Sequence, residues 1–281
     1  MDTTLLNERI RHFYDQSTRI WLDTWGEHMH HGYYGADGSL KKNHQQAQVD
    51  LIEELLRWGG LKNASNILDA GCGVGGSARY LAKRFGANVI GLTLSPVQAE
   101  QGVRFTKKAK LESRVKIVAR DLMSLSPADG PFDLIWSLES AEHIEDKKRL
   151  LEMFYDLLTP GGQFLMATWC HRNEPPALNT PENALLEKLY ELYHLPPMVS
   201  IKHFEQMAVE TGFREVQSGD WSEAVAPFWN AVIRSAISWR SVAGLLRSGL
   251  GTMKGAWAMR YMTRGYRMGT IKFGVLQGKK L

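Results

Sequence analysis

The sequence predicts an α/β fold, a parallel sheet of seven strands covered by helices on both faces. Three observations carry that reading. Apolar, strand-length runs alternate with helical runs from Asn66 to Trp169, which places strands side by side with helices above and below. The first strand enters a glycine-rich turn, Asp69-Ala-Gly-Cys-Gly-Val-Gly-Gly-Ser77, and a helix follows at once. Two more strand patterns, 214–220 and 271–276, flank a long insertion.

Residues 4–25 read as an amphipathic helix, with Leu6, Ile10, Phe13, Ile20 and Trp21 near helical spacing and Tyr14 in its middle. The stretch Trp25 to Gly35 is a loop dense in aromatic rings and imidazoles, including His28, His30 and His31. No cysteine or carboxylate stands at a ligand spacing beside them, so no metal is expected. A cover over a cofactor pocket fits better, with its His, Tyr and Trp groups hydrogen bonding and stacking. A helix ending at Glu53 to Trp58 leads to the first strand, 66–70. Helix 77–85, strand 88–92, helix 96–110, strand 115–119, strand 132–138 and helix 146–158 follow in turn. The turn Thr159-Pro-Gly-Gly162 introduces a fifth strand over 163–169. Helices around 180–193 and 202–211 precede the sixth strand. Within the insertion, Trp229, Val232, Ile233, Ala236 and Ile237 repeat as one helical face. The expected organisation is one domain. Residues 1–60 form N-terminal helices and a cofactor cover, 61–221 the core, 222–268 a basic helical lid and 269–281 the last strand.

A chain of 281 residues, 44% apolar and 23% charged, can bury a sizeable core and has the balance of a soluble globular protein. It has no apolar run of the ~20 residues that span a bilayer, and no basic-then-apolar segment before the first helix. A cytoplasmic setting is expected. The two cysteines, Cys72 and Cys170, read as reduced thiols at strand ends. Net charge is +4, but residues 224–281 hold ten of the 34 basic side chains and none of the 30 acidic ones. The remainder is net acidic. Arg240, Arg247 and Lys254 recur every seven residues. Such a basic helical face suits peripheral contact with an anionic membrane surface. No nucleic-acid motif accompanies the charge.

Gly71, Gly73 and Gly76 keep the spacing that lets a ligand approach bare backbone. Dinucleotide enzymes share this spacing, and Asp69 separates the two possibilities. Phosphates rest on the helix N-terminus, where an added carboxylate would repel them. S-adenosylmethionine carries an ammonium and a sulfonium instead of phosphate, and an acid at Asp69 suits both. The second strand ends in Thr93, Leu94 and Ser95, with no acid to hold a ribose, so Thr93 and Gln98 are expected to take that place. Ser95, Pro96 and Gln98 form the pattern of a capping box. Asp121, after the third strand, can accept from an adenine amino group while Leu122 packs on the ring.

The fourth strand ends in Trp136-Ser-Leu-Glu-Ser-Ala-Glu-His143, and the fifth in Thr168-Trp-Cys-His-Arg172. Glu139, Glu142 and His143 are expected near the transferable methyl, with His171 on the opposite rim. Clustered carboxylates and imidazoles push one another's pKa values apart, as general-base chemistry needs. Glu142 and His171 are the stronger base candidates.

With these residues placed, the sequence resembles the tocopherol methyltransferases. The matching stretches are Phe13 to Gly35, Leu68 to Ala82, Leu92 to Glu100, Phe132 to His143, Ala167 to Arg172 and Asp220 to Ala236. HMHHGYYG, TWCHR and WSEAVAPFW are the specific ones. The resemblance implies a Rossmann-like, seven-stranded class I methyltransferase fold with a helical lid insertion. It also implies S-adenosylmethionine as donor and C-methylation of a prenylated chromanol, γ- to α-tocopherol in type. A quinol, a sugar hydroxyl or an alkaloid nitrogen are alternative acceptors. The candidate cofactor ligands are Tyr14, Asp69, Gly71, Cys72, Gly73, Thr93, Leu94, Gln98, Asp121, Leu122 and Ser137. His30, His31, Tyr33, Trp169, Trp221, Phe228 and Trp229 are candidates for the acceptor. Glu139, Glu142, His143 and His171 are candidates for catalysis.

Overall fold

The computed structural model describes residues 3–236 and 260–281. Helices α1 (Thr3–Trp25) and α2 (His44–Trp58) lead into β1 (Asn66–Ala70), α3 (Gly76–Phe85), β2 (Asn88–Thr93), α4 (Pro96–Lys108) and β3 (Val115–Ala119). Then come β4 (Phe132–Leu138), α5 (Lys147–Leu157), β5 (Leu158–His171), α6 (Thr180–Tyr193), α7 (Ile201–Thr211) and β6 (Arg214–Asp220). Helices α8 (Ser222–Val225) and α9 (Pro227–Ala236) and a helical segment at 260–268 precede β7 (Ile271–Lys279).

The sheet order is β3-β2-β1-β4-β5-β7-β6. Strands β1 to β5 pair in parallel, whereas β7 lies antiparallel between β5 and β6. The expected all-parallel sheet is therefore mixed. Alternating periodicity reveals that a strand exists but carries no sign of its direction. Two strands run longer than expected. β5 begins at Leu158, because Leu158 pairs with Phe132 ahead of the glycine turn, and β7 extends through its pairing of Lys279 with Gln163.

Neighbouring strand residues point to opposite faces, and the core divides accordingly. Ile67, Leu134, Trp136 and Leu165 pack with α2 and α3, while Leu68, Ile135, Phe164 and Met166 pack with α5 and α7. Trp136, Phe154, Phe164, Phe204, Phe213 and Phe273 are fully buried. Each such ring contributes roughly 1.5–3 kcal/mol. This core fixes the carboxyl ends of β1, β2, β4 and β5, where the polar residues gather.

Helix starts follow local chemistry. Asn43, Ser95, Asp146, Asn179 and Ser200 cap α2, α4, α5, α6 and α7, each accepting from the backbone N–H three residues on. At α4 only half of the expected box forms. Ser95 accepts from the Gln98 N–H, but the Gln98 side chain turns to Thr93, whose hydroxyl accepts from the Ser95 N–H instead. Within the insertion, Val232, Ile233 and Ala236 fall on α9. Ile237 and the recurring Arg240, Arg247 and Lys254 lie outside the described residues. Among the described residues no helix is long and apolar enough to cross a membrane. Both Cys72 and Cys170 are buried free thiols.

Candidate active site

The cavity at the strand ends begins with β1 and its turn. Gly71 has φ +91° and a Cβ there would overlap Ser140, so only glycine lets the turn pass beneath the β4 loop. Gly73, at φ +54°, faces space whose nearest atom is the Met29 sulfur at 3.9 Å. The N–H groups of Gly71 and Cys72 donate to the Leu92 carbonyl, which locks the turn to β2. Asp69 is 2% exposed and its Oδ2 has no hydrogen-bond partner among the described residues. Burial pushes its carboxyl up to about 7, against the opposing pull of the Ala78 N–H and Arg79. A buried carboxyl with one free oxygen is poised for a cation: an ammonium brought to it restores the ionised form and satisfies the orphan.

The cavity wall contains Tyr14, Asp69, Gly71, Cys72, Gly73, Thr93, Leu94, Gln98, Asp121 and Leu122. Ser137 is not among these lining residues. It is buried below the cavity, where its hydroxyl bonds that of Ser140 at 2.9 Å. Thr93 donates to Gln98 Oε1 at 2.7 Å, so the two form one polar edge at the end of β2. Asp121 caps its own turn by accepting from the Met123 N–H and also receives Asn7 of α1 at 2.8 Å.

The β4 end splits the four catalytic candidates. Glu139 and His143 line the cavity; Glu142 and His171 do not. Glu142 turns inward, 2% exposed, and accepts from the Thr168 hydroxyl at 2.8 Å. Burial first, and the Glu139 charge second, raise it to about 8, so it is protonated at neutral pH. His171 donates from Nδ1 to the Arg172 carbonyl at 2.7 Å, a local bond at the strand end. His143 pairs with the Tyr14 hydroxyl at 2.6 Å, and burial, then Lys147 and His194, hold its imidazole down to about 3. Lys147 fixes the turn that carries these groups by donating to the carbonyls of Ala141, Glu142 and Ile144.

Glu139 stands in the left-handed region at φ +54°, a strained conformation for a residue with a side chain. Its carboxylate accepts from the His31 backbone N–H at 2.6 Å, from His31 Nδ1 at 2.8 Å and from Trp169 Nε1 at 3.1 Å. Burial alone would raise its pKa; His31 and His30 outweigh that and hold it below the usual carboxylate value.

The 25–35 loop is tied down rather than free. Tyr33 N–H bonds the Ala47 carbonyl, Tyr34 N–H bonds that of Ala224, and the Gln48 side chain donates to His28 and His30 carbonyls. Of the acceptor candidates, His30 lines the cavity. His31, Trp169, Phe228 and Trp229 form one aromatic nest with Tyr266 and Phe273. Tyr33 packs on Trp221, which in turn meets Trp58. His28 and Met29 enter the cavity from the expected cover loop, and Arg120 and Ser140, which were not anticipated as site residues, also line it. Arg120 and Ser140 follow β3 and β4, and no motif marks them as facing the cavity. Among the described residues, no group of three His, Cys, Asp or Glu side chains is placed to hold a metal.

Comparison with known proteins places the chain in a family. The chain matches the mycolic acid cyclopropane synthetase family over residues 2–218. It is 39% identical over 290 residues to the chloroplastic tocopherol O-methyltransferase of Arabidopsis thaliana, covering 99% of this chain and 83% of that protein. It is 34% identical over 231 residues to the 2-methyl-6-phytyl-1,4-hydroquinone methyltransferase of Synechocystis, covering 79% and 71%. The cyclopropane synthase MmaA2 of Mycobacterium tuberculosis shares the fold, with a TM-score of 0.83 at 20% identity over 98% of both chains. The strand order, the orphaned acid at the glycine turn and the kinship converge on one cofactor, S-adenosylmethionine. The chain belongs to the tocopherol methyltransferases, within the mycolic acid cyclopropane synthetase family of class I S-adenosylmethionine-dependent methyltransferases.

Proposed function

We propose that the chain methylates a ring carbon of a prenylated chromanol, ortho to its phenol hydroxyl, as in the conversion of γ- to α-tocopherol. The observation that carries this reading is a closed circuit of six aromatic side chains beside the donor cavity. Phe13 meets Trp21 (5.4 Å between centroids), Trp21 stacks on Trp25 (5.6 Å) and Trp25 meets Trp229 (6.0 Å). Trp229 meets Trp169 (6.5 Å), Trp169 meets Tyr193 (5.4 Å), and Tyr193 returns to Phe13 (6.5 Å). Tyr14, in the cavity wall, touches both Phe13 and Trp21. Such walls favour a flat, apolar ring system through edge and face contacts worth ~0.5–1.5 kcal/mol per pair beyond area.

The donor supplies a methyl on a positively charged sulfur, and transfer neutralises that charge. The protein's part is to hold and align. Asp69 would hold the donor's ammonium, Thr93 and Gln98 would offer polar partners at the β2 end, and Asp121 with Leu122 would frame the adenine. Holding acceptor carbon and methyl in line is worth ~7–11 kcal/mol of the barrier. The relatives' names support an acceptor with a long prenyl chain, and the 34% relative favours a phytyl hydroquinone as second reading. The basic balance of residues 224–281 supports peripheral contact with an anionic membrane in which such acceptors dissolve. Sedimentation with anionic vesicles at low salt tests that contact; protein left in the supernatant removes it.

The acceptor is tested by incubating the chain with isotopically labelled donor and a panel of γ-tocopherol, δ-tocopherol, phytyl hydroquinones, sugars and amines. Preferred labelling of γ-tocopherol is expected. Labelling of amines or sugars alone contradicts the reading.

A further inference from the structure

Three side chains of the aromatic nest at the carboxyl end of β5 each carry a buried polar atom without a hydrogen-bond partner among the described residues: His31 Nε2, Trp229 Nε1 and the Tyr266 hydroxyl. Their rings adjoin. His31 lies 5.0 Å from Trp229 and 6.2 Å from Tyr266, centroid to centroid, and is fully buried, with Trp229 3% exposed. Leaving one such group unpaired is costly, and three in one nest point to a polar group that belongs there.

Their chemistry narrows what that group is. His31 Nδ1 is committed to Glu139 Oε2 at 2.8 Å, so Nδ1 carries the proton and Nε2 presents a lone pair. Trp229 Nε1 can only donate. Burial, then the Glu139 charge, hold the Tyr266 phenol far above its usual pKa, so it too remains a donor. One acceptor and two donors complement a hydroxyl, which has one proton to give and two lone pairs to fill. An amine nucleophile fits poorly, because its single lone pair must face the methyl.

We propose that His31 Nε2, Trp229 Nε1 and the Tyr266 hydroxyl form the subsite for the acceptor's hydroxyl, with His31 as the base and Glu139 as its positioning residue. This rests on the reading of the acceptor as a hydroxylated aromatic ring. The acceptor's O–H bond breaks and its proton passes to His31 Nε2, while Glu139 steadies the imidazolium. Trp229 and Tyr266 donate to the oxygen as it becomes anionic. The oxygen's electrons enter the ring, and the ortho carbon takes the methyl as the carbon–sulfur pair withdraws to sulfur. That carbon's proton then leaves to solvent and the oxygen recovers its proton from His31. One proton is released per methyl transferred. Because the oxygen is held, carbon rather than oxygen is methylated.

Two conservative changes test the subsite without breaking the fold. Tyr266→Phe and Trp229→Phe each remove a donor that has no partner in the unliganded protein. Each should reduce kcat on γ-tocopherol ~10–100-fold, the range for hydrogen bonds to a charged oxygen. Tyr266→Phe should keep a thermal midpoint equal to or above wild type, whereas Trp229→Phe also loses buried ring volume and should melt lower. His31→Asn keeps a donor toward Glu139 but loses the Nε2 lone pair. It should lower kcat ~10²–10⁴-fold, with the Kd for S-adenosylhomocysteine unchanged within twofold. Glu139→Gln should lower kcat with little change in KM, and Glu139→Asp should recover part of the loss. Wild-type kcat in Tyr266→Phe and Trp229→Phe, or His31→Asn within threefold of wild type, overturns the subsite while leaving the acceptor reading intact. A wild-type chain that methylates no hydroxylated ring overturns both.

Discussion

Asp69 is the proposed partner of the donor's ammonium, a buried carboxyl in the cavity wall whose surroundings leave room for a cation. Its Oδ2 is buried and unpartnered among the described residues, and its carboxyl is raised to about 7. Asp69→Asn removes the charge at constant shape and should weaken S-adenosylmethionine binding ~10–150-fold by calorimetry, the range for a charge-assisted bond. A change under threefold would exclude Asp69 as the ammonium's partner. The raised pKa adds a pH signature. Below about pH 7 the unliganded carboxyl is protonated and must lose its proton to bind a cation. Donor affinity should fall about tenfold per pH unit below 7 and level off above it, and the variant should lose that slope. The place of Asp69 in the cavity wall was legible in the sequence because the signal is local: an acid two positions before a glycine turn. Glu142 was misleading for the opposite reason. Its place in the strand-end cluster suggested a base, but β5 supplies Thr168 beneath it, and only the packed sheet shows that its carboxyl points inward.

At the scale of elements, α1 closes the donor cavity through side chains that reach three different strand ends. Asn7 reaches Asp121 after β3, Tyr14 reaches His143 after β4, and Asp15 receives the Ser95 hydroxyl after β2. A terminal helix tied to the sheet by side-chain bonds opens before the strands it covers. Replacing Asn7 and Asp15 together with alanine removes two bonds of ~0.5–1.5 kcal/mol each. Amide hydrogen exchange along α1 should accelerate ~5–100-fold, with the sheet amides unchanged. Unaltered exchange in α1 would mean that its apolar face alone seats it. Helix and strand placement was readable along the chain, since periodicity and caps such as Asn179 and Ser200 act within a few residues. The antiparallel sense of β7 and the anchoring of the 25–35 loop were not, because both depend on partners far away in sequence, Gln163 and Gln48 among them.

For the whole molecule, buried titratable groups set a pH optimum of stability. Asp69 at about 7 and Glu142 at about 8 lie above their unfolded values, so their favourable contribution is complete at acid pH and lost as pH rises through 7 and 8. His28 and His143, held to about 3 by burial, lie below theirs; stability they provide near neutrality is lost as pH falls from about 6.5. His30, His44 and His194 shift in the same direction. The histidines outnumber the two carboxyls on the acid side, at about 1.4 kcal/mol per pH unit for each fully displaced group. Melting of the donor-free protein should peak near pH 6.5 and decline on both sides. A midpoint that climbs steadily from pH 6 to 8 would show that these groups do not dominate. The fold as a whole was legible because seven strands and their helices leave a long periodic record. The aromatic nest proposed for the acceptor was not, because it assembles His31, Glu139, Trp169, Trp229 and Tyr266 from five separate parts of the chain.

The most direct measurement is the position of the transferred methyl, read by NMR after incubation of the chain with γ-tocopherol and donor carrying a deuterated methyl group. The account predicts a product with its phenol hydroxyl intact, its ring proton gone and the label on the neighbouring carbon. Label on oxygen as a methyl ether, or no label despite bound donor, would contradict it.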